Sequence, residues 1–210
     1  MTTTRISMPT LLIGVALLLT SCGDSEKKEN TDSEQTTSEA AVESSSTDQG
    51  IALKQHADYT RLYAPANACR ITAGEVASVY DVPEDKVKET YNMANGHGGH
   101  DCTYEVYFDD GSKTVFSIME MKMSKEAVGD QLKKLTSGSY EKGFMTTSRA
   151  GDNYIWKHPN QGYFVLYNPN YANGLRVRYR MAFKVSEEEK KHLVEKGLEA
   201  VELLIDKFKD

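Results

Sequence analysis

The sequence lacks the short motifs that commonly mark an enzyme active site. It has no Gly-x-Ser-x-Gly elbow, no His-Glu-x-x-His zinc motif, no phosphate-binding loop and no dinucleotide fingerprint. We therefore predict a protein that is not an enzyme and that holds no cofactor. A hydrolase of unrecognised type stays open as an alternative, because catalytic residues that are scattered along a chain leave no such motif.

The sequence also has no excess of positive charge. Its formal net charge is −6 over 210 residues. Residues 23–50 contain eight acidic residues and two lysines, and Arg5 lies near the start, so residues 51–210 carry a net charge of about −1. A nearly neutral domain has no electrostatic basis for binding a polyanion. We predict no nucleic-acid partner.

Apolar residues are almost absent between residues 23 and 50, where Ser, Thr, Asp, Glu, Gln and Lys predominate. Such a segment cannot bury enough apolar surface to offset the entropy lost on ordering. We expect a disordered acidic tether. Beyond residue 22 the sequence contains no apolar run long enough to cross a bilayer.

The pattern of the first 22 residues is typical of a targeting signal. Arg5 precedes an apolar stretch over residues 11–19, which is as long as a signal-peptide core and too short to span a membrane. The following Leu19-Thr20-Ser21-Cys22 resembles the lipobox of bacterial lipoproteins. This resemblance implies that the signal is cut before Cys22 and that Cys22 is acylated. The alternative is an ordinary secretory signal in which Cys22 lies near the cut by chance.

The lipoprotein resemblance also implies a domain layout and a location. We expect a cleaved signal peptide over residues 1–21, a lipidated acidic tether over 22–50 and a globular domain over 51–210. Two or three acyl chains would hold the protein on a membrane, because stable anchoring takes more than one chain. Gly23 rather than an aspartate follows Cys22. In that family this favours the outer membrane, on its periplasmic or surface-exposed side.

Only three cysteines are present in the chain. With Cys22 assigned to lipid, Cys69 and Cys102 remain, and an exported protein meets an oxidising compartment. We therefore predict a disulfide between them, which would stabilise the fold by roughly 4 kcal/mol on the chain-entropy account. Two separate buried thiols and a metal-binding pair are the alternatives.

Hydrophobic periodicity from residue 71 onward predicts an α+β domain. The predicted helices begin at Thr72, Pro83, Ser124 and Ser186, and the predicted strands cover residues 102–108, 113–123, 154–157, 163–167 and 175–183. Short, turn-rich connections join several of these strands, which favours antiparallel pairing. We expect a single domain with an antiparallel sheet of about five to six strands flanked by helices.

Part of this pattern is similar to a known kind of exported domain. Cys69 is followed by an Ile-Thr-x-x-Glu-Val helix start, Cys102 opens a Cys-x-Tyr strand, and Ala150-Gly151-Asp152 precedes an aromatic strand. The arrangement resembles domains of uncharacterised secreted bacterial lipoproteins, some of which have a sandwich like that of photosystem II subunit P. The resemblance implies a binding or structural module, and it assigns no catalytic residues.

Positive charges alternate along the last predicted strand. Arg176, Arg178 and Arg180 share one face, and like charges at this spacing repel each other unless something anionic lies across them. Glu105 and Glu120, on neighbouring predicted strands, are the simplest partners within the domain.

An external partner is the alternative, because arginine and aromatic side chains dominate recognition surfaces and several aromatic residues cluster where predicted strands and turns meet. On this reading the binding residues, for a protein or a small anionic ligand, are Arg176, Arg178, Arg180, Trp156 and Tyr154. The leading prediction is therefore a lipid-anchored cell-envelope protein with a non-catalytic ligand- or partner-binding domain.

A second function class is metal handling in the cell envelope. Met119, Met121 and Met123 recur at period two along a predicted strand, and thioethers with imidazoles suit Cu(I). His97 and His100 lie in a glycine-rich loop and would complete the ligand set. A solvated loop and methionines that fill the core are the alternative reading.

Overall fold

A seven-stranded antiparallel sheet organises the domain in the computed structural model, which describes residues 52–54, 57–96, 98–137, 143–180 and 185–210. All of these residues belong to one unit, Thr47–Asp210. The strands are β1 (Val87–Ala94), β2 (His100–Tyr107), β3 (Lys113–Met121), β4 (Phe144–Thr147), β5 (Tyr154–Lys157), β6 (Tyr163–Tyr167) and β7 (Gly174–Arg178). Their order across the sheet is β1-β2-β3-β7-β6-β5-β4.

Four helices accompany the sheet in the described part of the chain. They are α1 (Thr60–Tyr63), α2 (Ala73–Val79), α3 (Lys125–Thr136) and α4 (Glu187–Lys207). None of them is long and apolar enough to cross a membrane. The predicted α+β class with an antiparallel sheet is confirmed, whereas the predicted count of five to six strands is wrong.

The predicted helix from Pro83 to Tyr91 is one source of the error. Only a 3₁₀ turn over Glu84–Lys86 forms there, and the chain then continues as β1. Because β1 is an edge strand and only its first residue, Val87, is buried, its sequence shows no alternation of apolar and polar residues. The short edge strand β4, which has no buried residue, went unpredicted for the same reason.

The last predicted strand, over residues 175–183, is longer than the one observed. β7 ends at Arg178, and the amide groups of Tyr179 and Arg180 both donate to the carbonyl of Gly162. Residues 181–183 lie outside the described part of the chain. This early end matters for the candidate site, because it separates Arg180 from the two arginines within β7.

Three of the four predicted helix starts, at Thr72, Ser124 and Ser186, are confirmed, and each of these residues caps its helix. The Thr72 hydroxyl accepts a hydrogen bond from the Glu75 amide at 3.2 Å, and the Glu75 carboxylate accepts one from the Thr72 amide at 2.7 Å. Ser124 and Ser186 cap α3 and α4 in the simpler way, through their hydroxyl groups alone. These bonds satisfy amide groups that a helix leaves unpaired at its first turn.

One side of the sheet, which we call the α4 face, carries the main hydrophobic core. Helices α1, α2 and α4 cover it, and Leu193, Val201 and Leu204 of α4 belong to the same buried cluster as Phe164 and Val177 of the sheet. Burial of this kind contributes about 1.5–3 kcal/mol for each large apolar side chain.

The opposite side of the sheet, the α3 face, carries a second and smaller core. Val128 and Leu132 of α3 are buried in one cluster with Trp156, Tyr163 and Val165 of strands β5 and β6. The polar residues Asp101, Ser117 and Arg178 lie on strands β2, β3 and β7 with side chains only partly buried. The α3 face therefore combines an aromatic patch under a helix with a polar surface.

Candidate functional site

A cavity of about 330 Å³ lies on the α3 face, beside helix α3. Its volume falls at the lower end of the range typical of small-molecule sites. The residues that line it come from β3, α3, β5, β6, β7 and the turn after β5: Met121, Gln131, Trp156, His158, Tyr163, Val165, Tyr167 and Arg176. We call this cavity the α3 pocket.

The register of the sheet explains why these residues meet. On β7, Arg176 lies opposite Val165 of β6, and Val165 in turn lies opposite Trp156 of β5. Residues directly opposite each other in antiparallel strands point to the same face. Trp156 and Arg176 are 20 positions apart in sequence, yet the two hairpins bring them to one pocket.

Arg176 is the polar group that distinguishes the α3 pocket. Its guanidinium carbon lies 4.8 Å from the centre of the Tyr163 ring, which places the cation over the aromatic face. Its Nε atom is buried, and among the described residues it has no hydrogen-bond partner. No carboxylate of the described residues forms a salt bridge with Arg176. A buried donor left unsatisfied in this way costs about 1–3 kcal/mol.

Aromatic rings form one wall of the α3 pocket. The centre of the Tyr163 ring lies 6.2 Å from that of Trp156 and 4.8 Å from that of His158. The Nδ1 atom of His158 accepts hydrogen bonds from the amides of Asn160, at 3.1 Å, and Gln161, at 2.9 Å. Because Nδ1 accepts, the neutral ring carries its proton on Nε2. The turn after β5 therefore fixes both the orientation and the tautomer of His158.

Gly143 makes room for the indole ring of Trp156. A Cβ atom at position 143 would lie 2.1 Å from the indole Nε1, far inside van der Waals contact. The absence of a side chain at this position therefore permits the observed position of Trp156. No periodicity in the sequence marks this requirement.

The remaining predicted binding residues do not all reach the α3 pocket. Arg178 lies on the same face as Arg176, opposite Ser117 and Tyr163. Tyr154 packs against the smaller core without lining the pocket. Arg180 lines a different cavity together with Lys157, Glu187, Lys190 and other residues. The structure thus brings together Arg176 and Trp156 from the predicted set, and it separates Arg180 from them.

Glu105 and Glu120, the predicted partners of the arginines on the last strand, pair with other residues. Glu120 points to the α4 face, where it is buried and forms an ion pair with Arg70 at 3.4 Å. Glu105 forms a salt bridge with Lys113 at 2.7 Å and accepts a hydrogen bond from Tyr107. The sequence prediction missed Arg70 as the partner of Glu120 because the two residues lie 50 positions apart.

Among the predicted metal ligands that the structure describes, His100 lies apart from the methionines. Met119 pairs with Asp101 across β2 and β3 and lies on the α3 face, whereas the neighbouring His100 points to the α4 face and is buried. Met121 and Met123 pack against the smaller core. His97, like Cys22 and the whole tether, lies outside the described residues.

Cys69 and Cys102 are joined by a disulfide in the structure. Their sulfur atoms are 2.07 Å apart and their Cα atoms are 5.5 Å apart. Cys102 is on β2, and Cys69 lies shortly before α2. The bond therefore ties the segment that enters α2 to the sheet.

A second polar cluster, around Asp152, lies beneath α1. The Asp152 carboxylate accepts hydrogen bonds from Tyr59 at 2.5 Å, from Ser148 at 2.8 Å and from Asn153 at 3.2 Å. Burial raises the pKa of Asp152, but the hydrogen bonds from these residues outweigh it and hold that pKa below its usual value. The cluster joins α1 to the turn between β4 and β5, which is a structural use of buried polar groups.

Comparison with known proteins adds no family. No protein-family model, curated protein or solved structure with which the chain was compared matches it. The resemblances to bacterial lipoproteins and to their secreted domains therefore stay predictions from the sequence.

The predicted binding set contains only Trp156 and Arg176 of the residues that line the α3 pocket, and His158 and Gln131 are among those it missed. His158 stands alone in a turn, and Gln131 is one polar residue in an amphipathic helix, so neither belongs to a motif. Trp156 and Arg176 were accessible to prediction because rare aromatic residues and regularly spaced charges stand out in a strand.

Proposed function

We propose that this protein is a lipid-anchored cell-envelope protein whose domain binds a small ligand in the α3 pocket without changing its covalent bonds. The ligand carries one anionic group, such as a carboxylate, on a flat apolar body. The anionic group meets Arg176, and the apolar body lies against Trp156 and Tyr163.

The unsatisfied Nε of Arg176 is the observation that carries this proposal. A guanidinium offers five donors in a planar fork that matches a carboxylate. Arg70 of the same domain, by contrast, has its partners within the protein. Glu120 and two backbone carbonyls accept hydrogen bonds from its guanidinium. A ligand anion would supply to Arg176 what the described residues do not.

The walls of the α3 pocket favour a flat apolar body. Trp156, Tyr163 and Val165 are each less than 9 % exposed and present ring and aliphatic surface. Aromatic surfaces stack well on flat rings, and such contacts add about 0.5–1.5 kcal/mol beyond area burial. A cavity of about 330 Å³ suits one ring with a short substituent rather than a large metabolite.

Anchoring at Cys22 rests on the sequence. The apolar stretch over residues 11–19 ends in Leu19-Thr20-Ser21-Cys22, and an acidic, polar segment follows. Replacement of Cys22 by Ser should release the exported protein from the membrane fraction and abolish incorporation of labelled fatty acid. Unchanged membrane fractionation of that variant would contradict the anchoring part of the proposal.

Ligand binding can be followed through the single tryptophan of the chain, which lies in the pocket. We would titrate the purified domain with benzoate, phenylacetate and 4-hydroxybenzoate and record Trp156 emission. The amide of each acid serves as a neutral probe of nearly the same shape. We expect saturable quenching by at least one acid and at least ~tenfold weaker binding of its amide, because only the acid pairs with a guanidinium.

Two variants locate the binding. Arg176→Met should abolish the saturable response, whereas Arg61→Met, at an arginine whose side chain is 64 % exposed, should leave it unchanged. Equal binding of acid and amide, or acid binding that survives in Arg176→Met, would contradict the proposed role of Arg176. No response to any of the three acids would remove the proposed ligand class.

A further inference from the structure

A group of sulfur and nitrogen atoms at the edge of the α4 face has the composition of a metal site. The sulfur atoms of Cys69 and Cys102 and a ring nitrogen of His100 all lie within 4.8 Å of one another. His100 and Cys102 are two positions apart on β2, so the strand directs both side chains to the same face. Cys69 reaches them from the segment before α2.

One ring nitrogen of His100 has a hydrogen-bond partner on the neighbouring strand. Its Nε2 atom lies 2.7 Å from the side-chain oxygen of Asn92, on the paired strand β1. Because an amide oxygen only accepts, Nε2 donates, and the neutral ring keeps its lone pair on Nδ1. Such a hydrogen bond on one ring nitrogen fixes the orientation of a histidine whose other nitrogen ligates a metal.

A carboxylate beside Cys69, outside the group of three, is the proposed fourth ligand. A carboxylate oxygen of Glu89, on β1, lies 3.9 Å from the Cys69 sulfur. Two thiolates, an imidazole and a carboxylate form a tetrahedral set that suits Zn²⁺, whereas a site for Mg²⁺ or Ca²⁺ would be built from oxygen atoms. His100 and Cys102 are 6 % and 2 % exposed, whereas Cys69 is half-buried and Glu89 is exposed, so a bound ion would lie at the rim of the domain with one side towards solvent.

We propose that the Cys69–Cys102 disulfide is the closed state of a redox-dependent zinc site. A thiolate of an external dithiol attacks one sulfur of the bond, and the second thiol of the reductant then releases it. Two electrons and two protons pass to Cys69 and Cys102, and the reductant leaves as its own disulfide. Zn²⁺ then displaces the two thiol protons and binds both sulfurs and His100, with Glu89 in the fourth position.

This site is independent of the proposed ligand pocket. His100 and Cys102 point to the α4 face, whereas Arg176 and Trp156 line a pocket on the α3 face. Failure of one proposal therefore leaves the other standing. The zinc site also differs from the predicted copper site in the cell envelope, because it uses cysteines and no methionine.

The test compares oxidised and reduced protein under anaerobic conditions. We would reduce the domain with tris(2-carboxyethyl)phosphine, remove the reductant, and titrate with Co²⁺, whose thiolate charge-transfer and d–d absorption report tetrahedral sulfur coordination. Zn²⁺ is then added to displace Co²⁺. We expect one Co²⁺ per reduced chain, displacement by an equal amount of Zn²⁺, and no such absorption in the oxidised protein.

Variants assign the ligands. His100→Ala should weaken Zn²⁺ binding by at least ~tenfold, whereas His192→Ala, at an exposed histidine of α4, should not change it. Cys69→Ser should lower the intensity of the charge-transfer band to about half or less, because only one of the two thiolates remains. Binding that is unchanged in His100→Ala, or the absence of stoichiometric Co²⁺ uptake by folded reduced protein, would overturn the proposal.

Reduction by itself can weaken the fold, so stability is measured in parallel. An ion that binds only the folded state raises its midpoint of unfolding. We expect Zn²⁺ to raise the thermal midpoint of the reduced protein and to leave that of the oxidised protein unchanged. If the reduced chain has no cooperative unfolding transition and Zn²⁺ does not restore one, the proposal is wrong.

Discussion

Two arginines on opposite faces of the same sheet have contrasting surroundings. Arg70, on the α4 face, is 5 % exposed, donates to the carbonyls of Leu62 and Ala64, and pairs with Glu120. Arg176, on the α3 face, lies against the Tyr163 ring and leaves its buried Nε without a partner among the described residues. Arg70 is part of a completed polar network, whereas Arg176 lines a cavity and has a buried donor without a partner among the described residues.

This contrast extends to the two faces as a whole. The α4 face carries the large core, the Arg70–Glu120 pair and the Cys69–Cys102 bond, all of which join distant segments of the chain. The α3 face carries a small aromatic core beside a cavity. Changes on the α4 face should therefore reduce stability, and changes at the α3 pocket should reduce binding.

The largest effect is expected for Glu120→Ala. Removal of the carboxylate leaves the buried Arg70 guanidinium without its counter-ion, and breaking a buried pair in this way costs about 3–5 kcal/mol. Burial lowers the pKa of Arg70, and the nearby charge of Glu120 partly offsets this lowering. Urea unfolding of the purified domain measures the loss. The double variant Arg70→Met, Glu120→Leu should recover part of it, and a loss below ~1 kcal/mol in the single variant would contradict this account.

Loss of the Cys69–Cys102 bond should have the next largest effect. The two residues are 33 positions apart, and removal of a cross-link across such a loop lowers the free energy of unfolding by about 4 kcal/mol on the chain-entropy account. We would compare the thermal midpoint of the Cys69→Ser, Cys102→Ser variant with that of the oxidised protein, both free of metal. Identical midpoints would mean that the bond does not constrain the unfolded chain.

A moderate effect is expected for Gly143→Ala, which overfills the space beside Trp156. The new Cβ would lie 2.1 Å from the indole Nε1, and forced repacking of this kind costs about 1–3 kcal/mol. Trp156 emission should shift and binding of benzoate or its analogues should weaken.

Gly129→Ala is the matched control for this substitution. Nothing lies within 4 Å of a Cβ at position 129 in helix α3, so alanine there should raise stability by up to ~1 kcal/mol. Equal effects of the two substitutions would contradict the steric role of Gly143.

A smaller effect, visible only in acid, is expected at Asp152. Its hydrogen bonds hold its pKa in the folded state below the ordinary value of 3.8. A carboxyl group with a lowered pKa in the folded state stabilises the fold when the pH lies above the pKa of the same group in the unfolded chain. This contribution is lost as the pH falls towards and through the folded-state pKa. Between pH about 5 and about 3 the wild type should therefore lose more free energy of unfolding than Asp152→Asn does. Equal losses in the two proteins would show that Asp152 is not responsible.

The sequence predicts the elements that carry strong local signals. The Thr72–Glu75 capping box and the serine caps at Ser124 and Ser186 mark three of the four helices, and alternation marks β2 and β3. The edge strands β1 and β4 carry no alternation because β1 has one buried residue and β4 has none. Hydrogen bonds to the neighbouring strands β2 and β5, rather than a pattern in their own residues, define β1 and β4 as strands.

The candidate site could be predicted only in part. Trp156 is a rare aromatic residue and Arg176 belongs to a regularly spaced series of charges, so both could be predicted. Arg180 belongs to the same series, but β7 ends before it, and Arg180 does not line the α3 pocket. The assignment of Glu120 failed because alternation along β3 places it on the α4 face, beside an arginine from a distant loop. Long-range pairing of this kind leaves no local pattern in a sequence.

The smallest expected effect on stability provides the most direct test of the contrast between the two faces. Arg176→Met removes an unsatisfied buried donor and one cation–π contact, so the free energy of unfolding should stay within ~1 kcal/mol of wild type or rise by up to ~2 kcal/mol. Urea unfolding of this variant beside the wild type, under identical conditions, gives the value. A loss of more than ~3 kcal/mol, the size expected for a buried ion pair, would show that Arg176 is a structural residue like Arg70 and would contradict the account.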